Sequence, residues 1–447
     1  MKRPNMPMKY GDKRLLSACM KPLVSGFLLL SSIAVSAQQL RDCAVGDVYR
    51  QMVLKNKTFG VARQAFEDSV QAKIRQMDAQ GGRTGSGILR IPVVVHVIHN
   101  NRDSLVFGGK GNANISVAQI ESQIRILNED YRKKEGTRGY NTNPVGVDME
   151  IEFYLATQDP NGNPTSGILR RYNAKAAYNI NSDLEQISAL SYWPSDRYLN
   201  MWIVPELSGF LGYAQFAAAN YEGLQMYYEQ FPKTDGVFLG HAYVGDTGDL
   251  ADQTYAYGRT ATHEIGHWLG LIHTWGDDYC GTDYCNDTPP TESANRTRYC
   301  NDTYSTCVSG QRTKNMIENY LDYSPDACMN IFTADQKKRV RAVLEVSTRR
   351  QKLIAGSNTL SDTDHLVVSV YPNPVSSQLI AFDATFKGIQ NLQFSLTNTA
   401  GHVLYSDNRS SQPSNRFFLP VKGLTQGVYL LQVQTPTEKK VTRVYIR

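Results

Sequence analysis

The stretch Thr262–His273 constrains this chain more than any other. It reads His-Glu-x-x-His-x-x-Gly-x-x-His, with His263, His267 and His273 at the histidine positions. A helix turns by about 100° per residue, so His263 and His267 lie on one face, one turn apart. His273 can join them only if the chain leaves the helix near Gly270, because glycine adopts the left-handed turn at a helix C-terminus at least cost. The spacing therefore predicts three imidazoles that converge on one point.

Three converging imidazoles are typical of a catalytic zinc site, because three neutral ligands leave a fourth tetrahedral position open. The shorter pattern His-Glu-x-x-His also occurs by chance in amphipathic helices, but the added glycine and third histidine make coincidence a poor explanation. Glu264 lies beside a ligand without pointing at the metal. We therefore expect it to take a proton from the attacking water and pass it to a leaving amine. Tyr323 could hydrogen-bond to the oxyanion, with an ordinary core tyrosine as the alternative. These groups suit amide hydrolysis.

The N-terminus predicts export. Basic residues precede the apolar run Leu23–Val35, and Val35 and Ala37 have the small side chains that cleavage after Ala37 requires. We expect a signal peptide over residues 1–37, too short for a stable membrane span, and no transmembrane span in the mature protein. The formal net charge is only +5 on 447 residues, with no block of Lys and Arg, so the composition does not indicate a nucleic-acid partner.

Residues 38–86 have the features of a pro-segment. They contain the isolated Cys43, a charged stretch with helical patterning and most of the Gly-rich run Gly81–Gly87, which is typical of a linker or an activation site. The thiolate of Cys43 could occupy the fourth position on the metal and exclude water until the segment is cut away. The alternative is that Cys43 pairs with another cysteine in a disulfide.

Five cysteines follow the zinc motif. In an exported protein such a cluster favours disulfides, which would stabilise a region where regular patterning is lost. Because five is an odd number, at least one thiol in the cluster is free or pairs elsewhere. The five are Cys280, Cys285, Cys300, Cys307 and Cys328.

The hydrophobic periodicity predicts an α/β domain around the motif. Ile91–Ile98 is continuous and β-branched, as in a buried strand, and residues 116–134 form an amphipathic helix that Ser116 and Gln119 should start with a capping box. A closing helix is expected over residues 333–348. Further strands are predicted at Met149–Leu155, at Leu199–Val204, at the edge of the sheet within Gly209–Phe216, and from Asp235.

From about Gly356 the composition changes. Short alternating strands, separated by turn residues, follow one another to the end of the chain. This spacing predicts a small β-sandwich over residues 356–447.

The central part of the chain resembles the pappalysin family, within the metzincin clan of zinc endopeptidases. Apart from the zinc motif, the shared stretches are Ile115-Ser-Val-Ala-Gln-Ile, Gly212-Tyr-Ala, Asp287-Thr-Pro289 and Asn319-Tyr-Leu-Asp-Tyr323. The resemblance covers residues 91–345. It implies a metzincin-type catalytic domain over residues 87–355, with a twisted mixed sheet, a zinc helix and an irregular lower subdomain. It also implies that the three histidines bind zinc, that Glu264 is the general base and that Tyr323 is the tyrosine beside the metal.

The chain departs from the family pattern at two positions. The family has Met two residues before the tyrosine, where this chain has Leu321, whose similar volume can still form an apolar floor beneath the imidazoles. The family's switch cysteine precedes Gly, whereas Cys43 precedes Ala44. The second difference affects the fit of the switch loop rather than its chemistry.

The resemblance also implies a substrate preference. Asp326 matches an aspartate in the S1′ pocket of some family members, which implies cleavage before Arg or Lys through a charge-assisted pair. A solvated loop aspartate is the alternative.

Two structural features follow from the same resemblance. The family's disulfides map onto Cys300–Cys328 and onto Cys307 with either Cys280 or Cys285. A structural calcium ion is expected in the loop after the motif, with Asp287 and Thr288 as ligands.

Residues from Tyr371 to Arg447 resemble the type IX sorting domains of certain Gram-negative bacteria. The resemblance implies recognition by the outer-membrane secretion machinery, passage through the periplasm, and a secreted or cell-surface protein. A permanent substrate-binding β-module is the alternative. We therefore predict a secreted, latent, zinc-dependent endopeptidase acting on proteins and peptides. The alternatives are a non-catalytic zinc-bearing binding protein or adhesin, against which Glu264 argues, and an amidase.

Overall fold

A six-stranded sheet built around β1 (Leu89–His99) forms the centre of the computed structural model. Strands β2 (Ile151–Leu155) and β3 (Ile168–Tyr172) both pair in parallel with β1, one at each half of its length. The order continues through β4 (Leu199–Val204) and β6 (Gly236–Gly240), both parallel, to the antiparallel edge strand β5 (Gly212–Ala214). The predicted α/β fold with an edge strand within residues 209–216 is confirmed.

The structure describes residues 43–81, 87–106, 111–219, 232–251, 253–355, 359–421 and 423–447. The predicted signal peptide and most of the Gly-rich run lie outside these residues.

Among the described residues, five helices flank the sheet or close the domain behind it. α3 (Val117–Tyr131) buries the predicted face of Ile120, Ile124, Leu127 and Tyr131. α4 (Ile180–Leu190) precedes β4, and α5 (Arg259–Trp268) carries the zinc motif. The predicted closing helix is two helices, α6 (Ala334–Val346) and α7 (Thr348–Ala355), with a break at Ser347.

The prediction of a capping box on α3 is half wrong. Ser116 caps the helix by accepting the Gln119 N–H, but the Gln119 side chain donates to the carbonyls of His241 and Val244 instead of returning to Ser116. These tertiary hydrogen bonds replace the local one. A complete capping box occurs at α6, between Thr333 and Gln336.

The region after the zinc helix is largely irregular, as predicted, apart from a short hairpin of β7 (Tyr304–Val308) and β8 (Gln311–Lys314). Disulfides join Cys280 to Cys307 and Cys300 to Cys328, whereas Cys285 is free and buried. The hairpin and the disulfides hold this region where an extended apolar core is lacking.

Two helices precede the sheet and pack against the domain's lower half. α1 (Val45–Lys55) and α2 (Lys57–Ala79) meet at Asn56, whose side chain caps α2. Phe59, Phe66 and Val70 of this pair share an apolar cluster with Ala217 and Val343. A buried bidentate ion pair joins Glu67 of α2 to Arg339 of α6.

The C-terminal residues form the predicted sandwich of two antiparallel sheets. One has the order β13-β10-β9 and the other β12-β11-β14-β15, with a common core that includes Phe382, Phe394 and Phe417. An ion pair of Arg90 with Asp362 joins the sandwich to the catalytic sheet. The strands are β9 (Val367–Val370), β10 (Leu379–Thr385), β11 (Gln390–Asn398), β12 (Val403–Gln412), β13 (Asn415–Pro420), β14 (Gly427–Gln434) and β15 (Lys439–Ile446).

No helix among the described residues is long and apolar enough to cross a membrane.

Candidate metal centre and active site

The zinc-motif helix ends where the sequence requires. After Trp268 the chain turns at Gly270, which has φ +97°. The Gly270 N–H donates to the His267 carbonyl, and the Leu271 N–H donates to the Gly266 carbonyl. This is a Schellman motif, which only a residue that tolerates the left-handed region can close without strain. A Cβ at position 270 would also lie 2.7 Å from a Val343 methyl carbon.

The turn brings the third histidine back to the other two. The Nε2 atoms of His263, His267 and His273 lie 3.0–3.2 Å from one another, and all three side chains are buried. A tetrahedral zinc ion with Zn–N bonds of about 2.0–2.1 Å separates its nitrogen ligands by about 3.3 Å. The spacing of the three nitrogens therefore fits one zinc ion.

The opposite ring nitrogens show which tautomer each histidine adopts. Nδ1 of His263 lies 2.7 Å from the Tyr320 carbonyl, and Nδ1 of His267 lies 2.9 Å from the Leu271 carbonyl. Nδ1 of His273 lies 2.5 Å from Asp277 Oδ1. Each acceptor requires a proton on Nδ1, so each Nε2 presents a lone pair to the other two. Three lone pairs at this distance repel one another unless a cation lies between them, which is the arrangement of a metal site.

Glu264 lies beside this cluster, 1% exposed. A Cβ at Gly212 of the edge strand β5 would be 2.7 Å from Glu264 Cγ and 2.8 Å from Oε1. Only glycine at position 212 therefore leaves room for the carboxylate between β5 and the zinc helix. The Gly212-Tyr-Ala stretch contributes to the site through this missing side chain.

Cys43 occupies the space above the three imidazoles. Its Sγ and the three histidine nitrogens all lie within 4.8 Å of one another, and its thiol is 3.4 Å from Glu264 Oε2. Burial and the Glu264 charge raise the pKa of the Cys43 thiol well above its usual value. A divalent cation at the centre of the cluster would offset both effects, because thiolate ligation displaces the proton.

Tyr323 contacts the backbone of the same residue. Its hydroxyl donates to the Cys43 carbonyl at 3.1 Å and accepts the Cys43 N–H at 3.3 Å. The Tyr323 ring packs edge-on against His273 and Trp275. The Tyr323 hydroxyl is therefore held beside the histidine cluster, where it hydrogen-bonds to the backbone of Cys43.

Leu321 lies beneath the zinc helix, fully buried. A Cβ at Gly266 would meet its methyl carbons at 3.1 and 3.4 Å, so leucine packs closely against the backbone between the first two histidines. Leucine thus supplies an apolar floor where the family has methionine.

Asp326 lies in a short 3₁₀ turn after Tyr323 and is 1% exposed. Its Oδ2 accepts the N–H groups of Tyr257 and Arg259. Arg259 is the first residue of the zinc helix and Tyr257 immediately precedes its N-cap Gly258, which has no side chain to satisfy the first N–H groups. Asp326 is therefore not a solvated loop residue: it anchors the N-terminus of the helix.

The loop after the motif contains an oxygen-rich cluster. The Thr288 hydroxyl lies 2.8–2.9 Å from both Asp283 oxygens and from the Cys285 carbonyl. One hydroxyl hydrogen cannot satisfy three acceptor oxygens. Asp287, by contrast, accepts the Asp335 N–H at the start of α6. Burial raises the pKa of Asp283 to about 7.

Sequence reasoning missed two residues of the site. Asp277 binds a histidine of the cluster, and Asp283 has more contacts in the oxygen cluster than Asp287. Each lies within a few residues of a predicted one, yet no helix or strand periodicity extends into this loop to indicate where either side chain points.

Comparisons with known proteins agree with this geometry. A family profile described as pregnancy-associated plasma protein-A matches residues 182–345. An extracellular metalloprotease from Arthroderma otae is 30% identical over 230 residues, which are 51% of this chain and 70% of that protein. The chain belongs to the pappalysin family of metallopeptidases. An extracellular metalloprotease 1 from Coccidioides posadasii is 29% identical, over 57% of this pappalysin and 76% of that protein.

Solved structures show the same fold. Mature Tannerella forsythia mirolysin in complex with a cleaved peptide has 38% identity and a TM-score of 0.51, over 60% of this chain and 96% of that one. A promirolysin mutant from the same organism has 33% identity and a TM-score of 0.57, over 72% of this chain and 100% of that one.

The C-terminal sandwich matches a second family. A profile described as a secretion system C-terminal sorting domain covers residues 369–447. This pappalysin is therefore a secreted zinc metalloprotease that is exported across the outer membrane.

Proposed function

We propose that this pappalysin is made as a latent precursor and, once its pro-segment is removed, cleaves proteins on the N-terminal side of Arg and Lys. The observation that carries the proposal is the position of Cys43, whose Sγ completes a four-ligand cluster with the three histidines while its backbone contacts Tyr323. The thiol of Cys43 lies where a scissile peptide and the attacking water must bind.

In the active form, His263, His267 and His273 would hold the zinc ion, which supplies Lewis acidity and lowers the pKa of water. Glu264 is placed to take the proton of the attacking water and deliver it to the leaving amine. Tyr323 donates to the Cys43 carbonyl in the precursor, so the same hydroxyl can donate to the carbonyl oxygen of a substrate as negative charge develops on it.

Latency rests on more than the thiol. Cys43 forms a parallel bridge with Gly212, and the Ala44 N–H donates to the Gly212 carbonyl. The pro-segment therefore uses the edge of β5, where an extended peptide could otherwise pair. Alanine fits at position 44, where the family has glycine. Ala44 is buried and is the N-cap residue of α1, and its backbone angles lie in the right-handed helical region, which needs no glycine.

A second anchor lies away from the zinc cluster. Arg339 donates both to the Glu67 carboxylate and to the Gly270 carbonyl, so α2 of the pro-segment is tied to the turn that positions His273. The side chains of Glu67 and Arg339 are both buried. The pair therefore adds a polar contact between the pro-segment and the catalytic domain that does not depend on the Cys43 thiol.

The proposed domain limits are those that the sequence predicts. Residues 1–37 are the signal peptide, residues 38–86 the pro-segment and residues 87–355 the catalytic domain. Residues 356–447 direct the protein to the secretion machinery and are then removed, with release or attachment to the cell surface.

The preference for basic residues is proposed from Asp326. Asp326 matches an aspartate in the S1′ pocket of some family members, and its buried carboxylate can form a charge-assisted pair with an Arg or Lys side chain of a substrate. Because Asp326 also anchors the zinc helix, Asp326→Ala would remove two functions at once.

Asp326→Asn separates the two functions, since an amide oxygen still accepts the two N–H groups while the charge is lost. We expect the preference for Arg and Lys to fall by about 10- to 100-fold, the value of a hydrogen bond to a charged group. The measurement is mass-spectrometric mapping of new N-termini in a digested proteome, with and without a zinc chelator. An unchanged cleavage profile would remove Asp326 from specificity, and digestion that persists after zinc is removed would contradict the proposed chemistry.

A structural calcium ion is proposed in the oxygen cluster. The sequence suggested Asp287 and Thr288 as ligands; the contacts favour Thr288 with Asp283 and the Cys285 carbonyl. Carboxylate, hydroxyl and carbonyl oxygens are the ligands that calcium prefers. A cation would also stabilise the buried Asp283 carboxylate.

Calcium is therefore expected to raise the thermal unfolding temperature of the full-length precursor. At a free concentration of 100 times Kd the stabilisation is about 2.7 kcal/mol. Asp283→Asn should abolish the shift, whereas Asp302→Asn, which removes an exposed carboxylate paired with Lys314 in the neighbouring hairpin region, should not. Equal calcium responses of the parent and Asp283→Asn proteins would disprove the assignment.

A further inference from the structure

The third histidine of the cluster has the least local support. His263 and His267 are in α5, where helical hydrogen bonds fix their backbone. His273 lies beyond the Gly270 turn, in a segment with no regular secondary structure. Its ring must therefore be oriented by side-chain contacts, of which Trp275 provides one by stacking on the ring at 4.3 Å with an interplanar angle of 11°.

The Tyr323 ring packs edge-on against the His273 ring, and Asp277 provides the polar contact. Its Oδ1 lies 2.5 Å from His273 Nδ1, whereas Nδ1 of the two helical histidines contacts backbone carbonyls. His273 is thus the one member of the trio whose outward nitrogen contacts a carboxylate. A carboxylate in this position fixes the ring orientation and raises the basicity of the nitrogen that faces the metal.

The backbone around Asp277 is shaped for this contact. Asp277 has φ +61° and follows Gly276 with φ +65°. A Cβ at position 276 would be 2.3 Å from the Thr282 N atom, so the chain passes closely against itself here. Left-handed backbone at a non-glycine residue costs free energy and persists where the surrounding structure imposes it.

We infer that Asp277 is a positioning residue for His273, which holds its ring toward the metal and increases the affinity of the site for zinc. This inference rests on the proposed zinc site. It also gives a reason for Gly46 in the pro-segment, because a Cβ there would lie 2.8 Å from Asp277 Oδ1. The pro-segment approaches the carboxylate closely without displacing it from His273.

The test is zinc affinity rather than activity. All variants carry Glu264→Ala in the full-length precursor, so that none can process itself, and zinc is titrated against a chromophoric chelator. Asp277→Ala should weaken zinc binding by about 10- to 100-fold, the usual effect of losing such a partner. Asp277→Asn, which keeps an acceptor oxygen but loses the charge, should give an intermediate value. Asp278→Asn is the matched control, because Asp278 is adjacent and exposed.

The outcomes separate this inference from the function on which it depends. A parent protein that binds no zinc would contradict the proposed zinc site itself. If the parent binds zinc and the Kd of Asp277→Ala for zinc lies within about twofold of the parent's Kd, only the role of Asp277 is overturned. The unfolding temperature of the metal-free proteins gives the second readout. If Asp277→Ala lowers it substantially, the weaker zinc binding reflects general destabilisation and the positioning role is refuted; the expected result is no change.

Discussion

Glu264→Gln in the mature enzyme is expected to lower kcat/KM for peptide hydrolysis by at least about 10²- to 10⁴-fold, the usual contribution of a general base. The amide keeps the volume of the carboxylate in the space that Gly212 leaves open, but it cannot accept the proton of the attacking water. Zinc content should stay at that of the parent, since the three imidazoles and their Nδ1 partners are unchanged. The measurements are peptide hydrolysis rates and metal analysis of the same preparations.

Glu135→Gln is the matched control, because Glu135 is an exposed glutamate in the segment after α3. It should retain the parent's rate and zinc content. Proteolysis by Glu264→Gln at the parent's rate would show that another group acts as the base. Loss of zinc together with activity would show that Glu264 supports the metal site rather than the proton transfer.

Cys43→Ala is expected to convert the precursor into a protein that processes itself prematurely. Removing Sγ opens the space above the imidazoles and removes the contact with Glu264, while the backbone bridge to Gly212 and the Glu67–Arg339 pair remain. If the lost contacts are worth about 1.4–2.8 kcal/mol, the open population rises by about 10- to 100-fold. The half-time of self-processing of the purified precursor should shorten correspondingly, as followed by gel electrophoresis.

The chain contains its own control for this experiment. Cys285 is the other free, buried cysteine of the described residues, and it lies beside the Asp283–Thr288 oxygen cluster rather than in the histidine cluster. Cys285→Ala should leave the half-time of processing unchanged. If Cys43→Ala and Cys285→Ala process at the same rate as the parent, the thiol has no role in latency.

The parts of this protein that the sequence determined are those with local causes. Helical periodicity requires His263 and His267 to share a face, and the later position of His273 requires a left-handed residue at Gly270, which the structure contains. A continuous β-branched run predicted β1, and short alternating patterns predicted most strands of the C-terminal sandwich. The structure adds β3, the β7–β8 hairpin and β13, whose short or mixed polar sequences give weak periodic signals.

The tertiary structure alone decided the long-range contacts. Cys280 and Cys285 have similar local sequence, and only the path of the β7–β8 hairpin makes Cys280 the partner of Cys307. The resemblance favoured a pocket for Asp326 over a solvated loop, and only the fold brings it to the N-terminus of the zinc helix. Likewise, helical spacing places Arg63 and Gln71 within one turn of Glu67, but only the fold brings Arg339 to its carboxylate. Such contacts join residues far apart in the chain, and their geometry depends on how whole elements pack rather than on any periodicity that a linear pattern can carry.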